Sequence, residues 1–151
     1  MLFRSGLIST QSAGVIALSG HSGGYKVISS VISAGGMPRE IQEVFLFDAL
    51  YGQIPKFVNW LKAPGHRLAA ITSPEGGTLD ATRGAVAASK KERILVYSEI
   101  EDAVQAESLR TNQFSVVASA LGHNEVMHAR AHFKLFLETS RLTRIVRPPS
   151  P

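Results

Sequence analysis

Apolar runs alternate with amphipathic stretches along most of this chain. Five short, largely apolar runs predict strands that are buried on both faces, at 14–19, 43–50, 66–73, 93–98 and 113–120. Stretches whose apolar residues recur at helical spacing predict helices at 24–36, 54–62, 78–91 and 124–140, whereas 99–111 fits neither pattern. Buried strands separated by helices predict an α/β fold whose parallel sheet is covered by helices on both faces.

The carboxyl ends of such strands are where function concentrates in α/β sheets. Three loops at this edge carry residues capable of chemistry. Ser22 follows the first predicted strand, Asp48 or Glu75 follows the second or third, and His123 follows the last. We therefore expect a functional site built from these loops.

Ser22 lies between Gly20 and Gly24 at an abrupt change from strand pattern to helix pattern. The spacing G-x-S-x-G is that of a nucleophile elbow, in which a sharp turn presents a serine hydroxyl to a cleft. The backbone N–H of Gly23, at the start of the helix, would be one donor to a developing oxyanion. The alternative interpretation is an ordinary glycine-rich turn.

A serine hydroxyl needs a base, and five histidines are candidates. His123 follows the last strand and lies at the correct end of the sheet. His21 is adjacent to Ser22, so its side chain is expected to point away, and His66 precedes a strand. His128 and His132 have a spacing that suits a metal, but no third ligand is evident, so we expect both on the surface and no metal site.

The acid that would orient the base is either Asp48 or Glu75. Asp48 ends an otherwise apolar strand, where an unpartnered carboxylate would be costly to bury. A partner such as His123 is the economical explanation. Glu75 lies in "SPEGGT", which is also typical of an exposed turn before a helix capped by Thr78. The sequence favours Asp48 and keeps Glu75 as the alternative acid.

The order Ser22, Asp48, His123, with "GHSGGY" as the elbow, resembles the carboxyl-terminal half of the α/β-hydrolase superfamily over roughly residues 14–138. The resemblance implies a serine hydrolase that acts on an ester, thioester or amide without a cofactor. In most of that family the acid follows the strand after next from the nucleophile, as Glu75 does. In the pancreatic-lipase branch it follows the very next strand, as Asp48 does. The run "RILVYS" (93–98) adds a strand that the family pattern lacks.

The same resemblance implies that a large part of the fold is missing. The family's first four strands have no counterpart before Ser22, nor does the loop that supplies the second oxyanion N–H. We expect a partial α/β-hydrolase domain over residues 1–139, a fragment that is truncated or inactive alone. Its first strand would leave an apolar sheet edge through which the chain self-associates.

The composition of the chain limits the kinds of partner and site that it can have. The 151 residues include 16 Lys+Arg and 12 Asp+Glu, a formal charge of +4, but the cations are scattered without interleaved aromatics, so we expect no nucleic-acid partner. The absence of cysteine excludes disulfides and thiolate metal sites. Nothing approaches a membrane span, and the start is a poor signal peptide, which favours a cytoplasmic protein. Residues 140–151 are expected to form a disordered, proline-rich tail.

Two functions compete with hydrolysis of a small-molecule or lipid-like substrate. The glycine-rich turns at 19–24 and 73–78 precede helices and would suit a phosphate- or nucleotide-binding module. Neither turn has a P-loop or dinucleotide-binding spacing, which weighs against that function. The other alternative is a non-catalytic interaction module that keeps the elbow only as scaffold.

Overall fold

The computed structural model describes residues 14–37 and 39–143. The strands are β1 (Ile16–His21), β2 (Ile41–Phe47), β3 (Arg67–Thr72), β4 (Val96–Ile100) and β5 (Phe114–Ala118). The helices are α1 (Gly24–Ala34), α2 (Ile54–Leu61), α3 (Leu79–Lys91), α4 (Ala106–Thr111) and α5 (His132–Glu138). Two 3-10 turns, Glu101–Ala103 and Glu125–Met127, flank the last strand and its preceding helix.

The five strands form one parallel sheet in the order β1-β2-β3-β5-β4. The predicted α/β fold with a parallel sheet is therefore confirmed. All five carboxyl ends meet at one edge, because every pairing is parallel. The loops after β1, β2, β3 and β5, which carry the candidate residues, consequently open onto the same side of the molecule.

Side chains of β2 enter two separate cores, which explains its uninterrupted apolar sequence. Val44 and Leu46 pack on one face of the sheet with residues of α1, α2 and α3. Phe45 and Phe47 pack on the other face with residues of α4 and α5, including Phe136. Full burial of each such side chain contributes about 1.5–3 kcal/mol. Helices on both faces hold the central strands rigidly beneath the site.

The strand β1 lies at a sheet edge and, within the described residues, pairs only with β2. Its residues are mostly half-buried, in contrast to the fully buried β3. The helix α1, which packs beside it, leaves Val27 and Val31 exposed at 67% and 39%. We call the unpaired side of β1 together with Val27 and Val31 the β1 edge.

The single helix predicted over 124–140 is wrong, because the chain there is broken. A 3-10 turn, Glu125–Met127, precedes α5, which begins only at His132. Val126 and Phe136 both enter the core beneath Phe47. In one continuous α-helix these two residues would lie about 80° apart around the axis. Because a helix face that packs on a core is at least about 100° wide, this packing does not by itself require the break.

The expected tail begins with ordered contacts. The backbone N–H of Arg141 donates to Oε1 of the buried Glu43 at 3.0 Å, and its guanidinium donates to the carbonyl of Gly65 at 2.7 Å. Residues 144–151 of the predicted tail lie outside the described residues. The last described segment is therefore tied to the amino-terminal ends of β2 and β3.

Candidate active site

Ser22 occupies a sharp turn between β1 and α1. Its φ of +53° lies in the left-handed region, which is unfavourable for a residue with a side chain. At Gly20 a Cβ would come within 2.7 Å of the Cδ1 methyl of Ile28, so a larger residue would require this buried side chain to shift where α1 folds back over β1. A Cβ at Gly24 would meet nothing within 4 Å. Steric crowding therefore explains the first glycine of the motif but not the last.

The N–H of Gly23 follows Ser22 at the amino end of α1. It donates to no acceptor among residues 14–37 and 39–143. The eleven residues of α1 align their peptide dipoles toward this end, where negative charge is favoured. The turn thus presents a hydroxyl beside a free backbone donor.

Asp48 follows β2 and is completely buried. Its φ of +43° is also left-handed, and its carboxylate accepts four hydrogen bonds. Ser73 donates through its backbone N–H at 3.1 Å and through its hydroxyl at 2.6 Å, and the Thr78 hydroxyl donates as well. The fourth donor is Nδ1 of His123, at 2.7 Å from Oδ2. A fully satisfied, buried carboxylate is the arrangement expected of a fixed anion.

The electrostatics of Asp48 follow from these contacts. Burial by itself raises the pKa of its carboxyl, but the hydrogen bonds from Ser73, Thr78 and His123 outweigh burial and hold the pKa below its ordinary value. Asp48 is therefore ionised at neutral pH. At Gly76 a Cβ would lie 1.5 Å from Oδ2 of Asp48, so this turn must be glycine for the carboxylate to fit.

His123 projects from the loop after β5 toward Asp48, with 26% of its side chain exposed. With Nδ1–H donating to Asp48, the second ring nitrogen, Nε2, carries the free lone pair that a base requires. The ring of His21 lies 4.5 Å from that of His123, and Nε2 of His21 donates to the His123 carbonyl at 2.9 Å. The sequence interpretation, which expects the His21 side chain to point away from Ser22, did not foresee this contact with the His123 loop.

Tyr51 is a site residue that the sequence interpretation missed. Its phenol oxygen is 3.4 Å from Nδ1 of His123, and its side chain lies near that of Ser22. Burial and the negative charge of Asp48 raise the pKa of this phenol, so it stays protonated. The only signal in the sequence is its position three residues after Asp48. Among the described residues, no direct hydrogen bond joins Ser22 to His123.

Glu75 is exposed and takes no part in the Asp48 network. Its carboxylate lies against Gly122, where an added Cβ would be 2.9 Å from Oε2. The structure therefore brings Asp48, and not Glu75, to the imidazole of His123. Ser73 and Thr78, from the same turn as Glu75, contribute donors that hold Asp48 in place.

The remaining histidines lie away from this constellation. His66 stacks on Trp60 at 4.4 Å, and its Nδ1 lies 2.7 Å from the Trp60 carbonyl, at the amino end of β3. His128 is exposed as expected, but the surface position expected for His132 is wrong, because His132 is buried beside Glu101. No group of three or more His, Asp or Glu side chains in the described part of the chain is arranged to hold a metal ion.

The chain matches no family model, no curated protein and no solved structure. Within the described ranges, no helix has the length and apolar character needed to cross a membrane. The functional interpretation therefore rests on the geometry of the site.

Proposed function

We propose that this protein is a serine hydrolase of α/β-hydrolase type that cleaves an ester, thioester or amide. Ser22 is the nucleophile, His123 the base and Asp48 the acid that orients it. The observation that carries the proposal is the pairing of buried Asp48 with His123 at 2.7 Å, in a loop adjoining the strained turn of Ser22. A buried carboxylate, an imidazole and a strained serine at one sheet edge form the combination that nucleophilic acyl transfer requires.

In the proposed reaction, Oγ of Ser22 attacks the substrate carbonyl carbon while Nε2 of His123 takes the hydroxyl proton. Asp48 stabilises the imidazolium that results, and the Gly23 N–H donates to the oxyanion. The tetrahedral intermediate collapses to an acyl-serine as the imidazolium returns the proton to the leaving group. Water then attacks the acyl-serine, His123 takes one proton from that water, and Ser22 regains it.

Tyr51 is a neighbour of both the proposed nucleophile and the proposed base. Its phenol oxygen is 3.4 Å from Nδ1 of His123, and its side chain lies near Ser22, so the proposed nucleophile and base have this residue as a common neighbour. The proposed reaction requires the Ser22 hydroxyl to approach Nε2 of His123 and form the catalytic hydrogen bond. Such bonds often tighten only when substrate is bound.

The competing phosphate-binding function is disfavoured by charge. The turn of residues 73–78 surrounds the ionised carboxylate of Asp48, and a phosphate brought to that turn would meet a negative charge. A non-catalytic interaction module would retain the same fold without an activated serine. Reactivity of Ser22 therefore separates the functions.

A fluorophosphonate probe tests the proposal, because it reacts only with an activated serine. We expect one adduct on the folded protein, located at Ser22 by peptide mass spectrometry, and none on Ser22→Ala. Ser30→Ala, which removes an exposed serine of α1, is the matched control and should label normally. A folded wild-type protein that remains unlabelled, or that labels at another serine, would show the proposal to be wrong.

A further inference from the structure

The loop that carries His123 is closed at both ends by one carboxylate from the neighbouring edge strand. The loop leaves β5 at Ser119 and enters α5 at His132. Glu101, which directly follows β4, contacts residues at both points. No element of the proposed catalytic reaction uses Glu101.

The contacts of Glu101 divide between the two ends of the loop. At the first end, the Ser119 hydroxyl donates to Oε2 at 2.6 Å and the Ala120 N–H donates to Oε1 at 3.3 Å. At the second end, Nε2 of His132 lies 3.2 Å from Oε2, and Nε of Arg130 lies 3.8 Å from Oε1. Through its two oxygens, the Glu101 carboxylate therefore joins the two ends of the loop, which could otherwise move apart.

Burial makes these contacts stronger than those of a surface ion pair. The side chains of Glu101 and His132 are each only 7% exposed. Burial raises the pKa of Glu101, but donation from Ser119 and Ala120 and the charges of Arg130 and His132 outweigh burial and lower it. An ionised, hydrogen-bonded carboxylate in partial burial is costly to unpair.

Other contacts fix the interior of the loop, and only its two ends then need to be held in place. The Gly122 N–H donates to Glu125 at 2.9 Å, and Val126 is completely buried in the core. These contacts shape the turn around His123 but do not attach it to β4. Glu101 attaches both ends of the loop to the segment after β4, and the neighbouring Asp102 adds a contact at the second end by accepting from Arg130 at 2.7 Å.

We propose that Glu101 is a positioning residue for His123, which acts by clamping residues 119–120 to residues 130–132. The clamp fixes the loop so that the imidazole of His123 meets Asp48. The structural part of this inference stands by itself, and only its catalytic consequence rests on the proposed function. Loss of the clamp loosens the loop and lengthens the hydrogen bond between His123 and Asp48.

Glu101→Gln tests the clamp, because glutamine keeps the shape and removes the charge. Glu99→Gln is the matched control, since Glu99 lies on β4 two residues before Glu101 and, within the described residues, its carboxylate accepts only from the adjacent Ile100 N–H. Hydrogen exchange of residues 119–132 should accelerate about 10- to 100-fold in Glu101→Gln, which matches the loss of hydrogen bonds to a charged group. Ser119→Ala, which removes the 2.6 Å bond alone, should give a smaller acceleration.

A second readout reports the imidazole directly and needs no activity. The Nδ1 proton of His123 should give a downfield NMR signal in the wild type and in Glu99→Gln, and should broaden or move upfield in Glu101→Gln. Unchanged exchange and an unchanged signal in a folded Glu101→Gln protein would overturn the clamp. A wild-type protein that shows the clamp but never labels with fluorophosphonate would overturn the proposed hydrolase and leave the clamp standing.

Discussion

Nδ1 of His123 lies 2.7 Å from Oδ2 of Asp48, across 75 residues of chain. The two residues follow β5 and β2, which are separated in the sheet by β3. Ser73, at the end of that intervening strand, fills the space between them by donating twice to Asp48. The pair is therefore a product of the parallel sheet, and each of its supports can be altered singly.

Replacing Asp48 by Asn should lower any hydrolytic activity about 10³- to 10⁴-fold, because the base loses its orienting anion. Activity is measured as kcat/KM on an activated ester, with circular dichroism to confirm folding. Glu75→Gln, which alters an exposed carboxylate of the neighbouring turn, is the matched control and should change little. The opposite pattern would assign the acid to Glu75.

Asp48 should also give the fold a characteristic acid sensitivity. Its folded-state pKa lies below the ordinary value of 3.8, so its contribution to the free energy of unfolding is fully present above that value. The contribution is lost as the pH falls through the lower, folded-state pKa. The stability difference between wild type and Asp48→Asn, from urea unfolding at several pH values, should shrink below about pH 4. A difference that stays constant down to pH 3 would contradict this expectation.

Gly76 should tolerate no side chain, because a Cβ there would lie 1.5 Å from the Asp48 carboxylate. We expect Gly76→Ala to lower the free energy of unfolding by about 1–3 kcal/mol. Gly84→Ala is the control, since a Cβ at this position inside α3 meets nothing within 4 Å. It should raise stability by about 0.5–1 kcal/mol. Equal urea midpoints for the two variants would show that the turn does not enclose Asp48.

The β1 edge should make the chain self-associate at high concentration. An edge strand with unpaired backbone groups is a template for another chain, and exposed Val27 and Val31 add apolar surface beside it. Light scattering after gel filtration should show larger species for the wild type and fewer for Val27→Lys with Val31→Lys. Leu95→Lys, which changes a side chain 61% exposed just before β4, should have less effect. A wild-type chain that remains monomeric throughout would exclude this behaviour.

The sequence predicted the sheet well because burial on both faces leaves a strong signal. The run that ends in Phe47 and Asp48 is apolar because both cores receive its side chains, and no other element type fits so short a run. The candidate residues Ser22, Asp48 and His123 could be located for the same reason, since each directly follows such a run. Local pattern and strand order were enough to place them at one edge.

The residues that support the site could not be predicted from the hydrophobic pattern of the sequence. Ser73, Thr78 and Tyr51 are short-range polar or aromatic residues in turns, and only the three-dimensional path of those turns brings them to Asp48 and Ser22. The break before His132 was missed because helical spacing continues through it. The structure has a 3-10 turn at Glu125–Met127 and further turn and bend residues at 128–131, and the spacing of the apolar residues does not reveal them.

The left-handed backbone at Ser22 and Asp48 lowers the stability of the fold. In the register of the sheet His21 pairs with Phe47. Ser22 and Asp48, the residues that follow them, therefore occupy equivalent positions on neighbouring strands. Each conformation costs on the order of 1–3 kcal/mol for a residue with a side chain. A sequence chosen for stability alone would place glycine at Ser22, whereas at Asp48 the four hydrogen bonds of the carboxylate offset the strain. The most stable version of this protein and the version that the proposed reaction requires are thus different molecules, and they differ at the turn of Ser22.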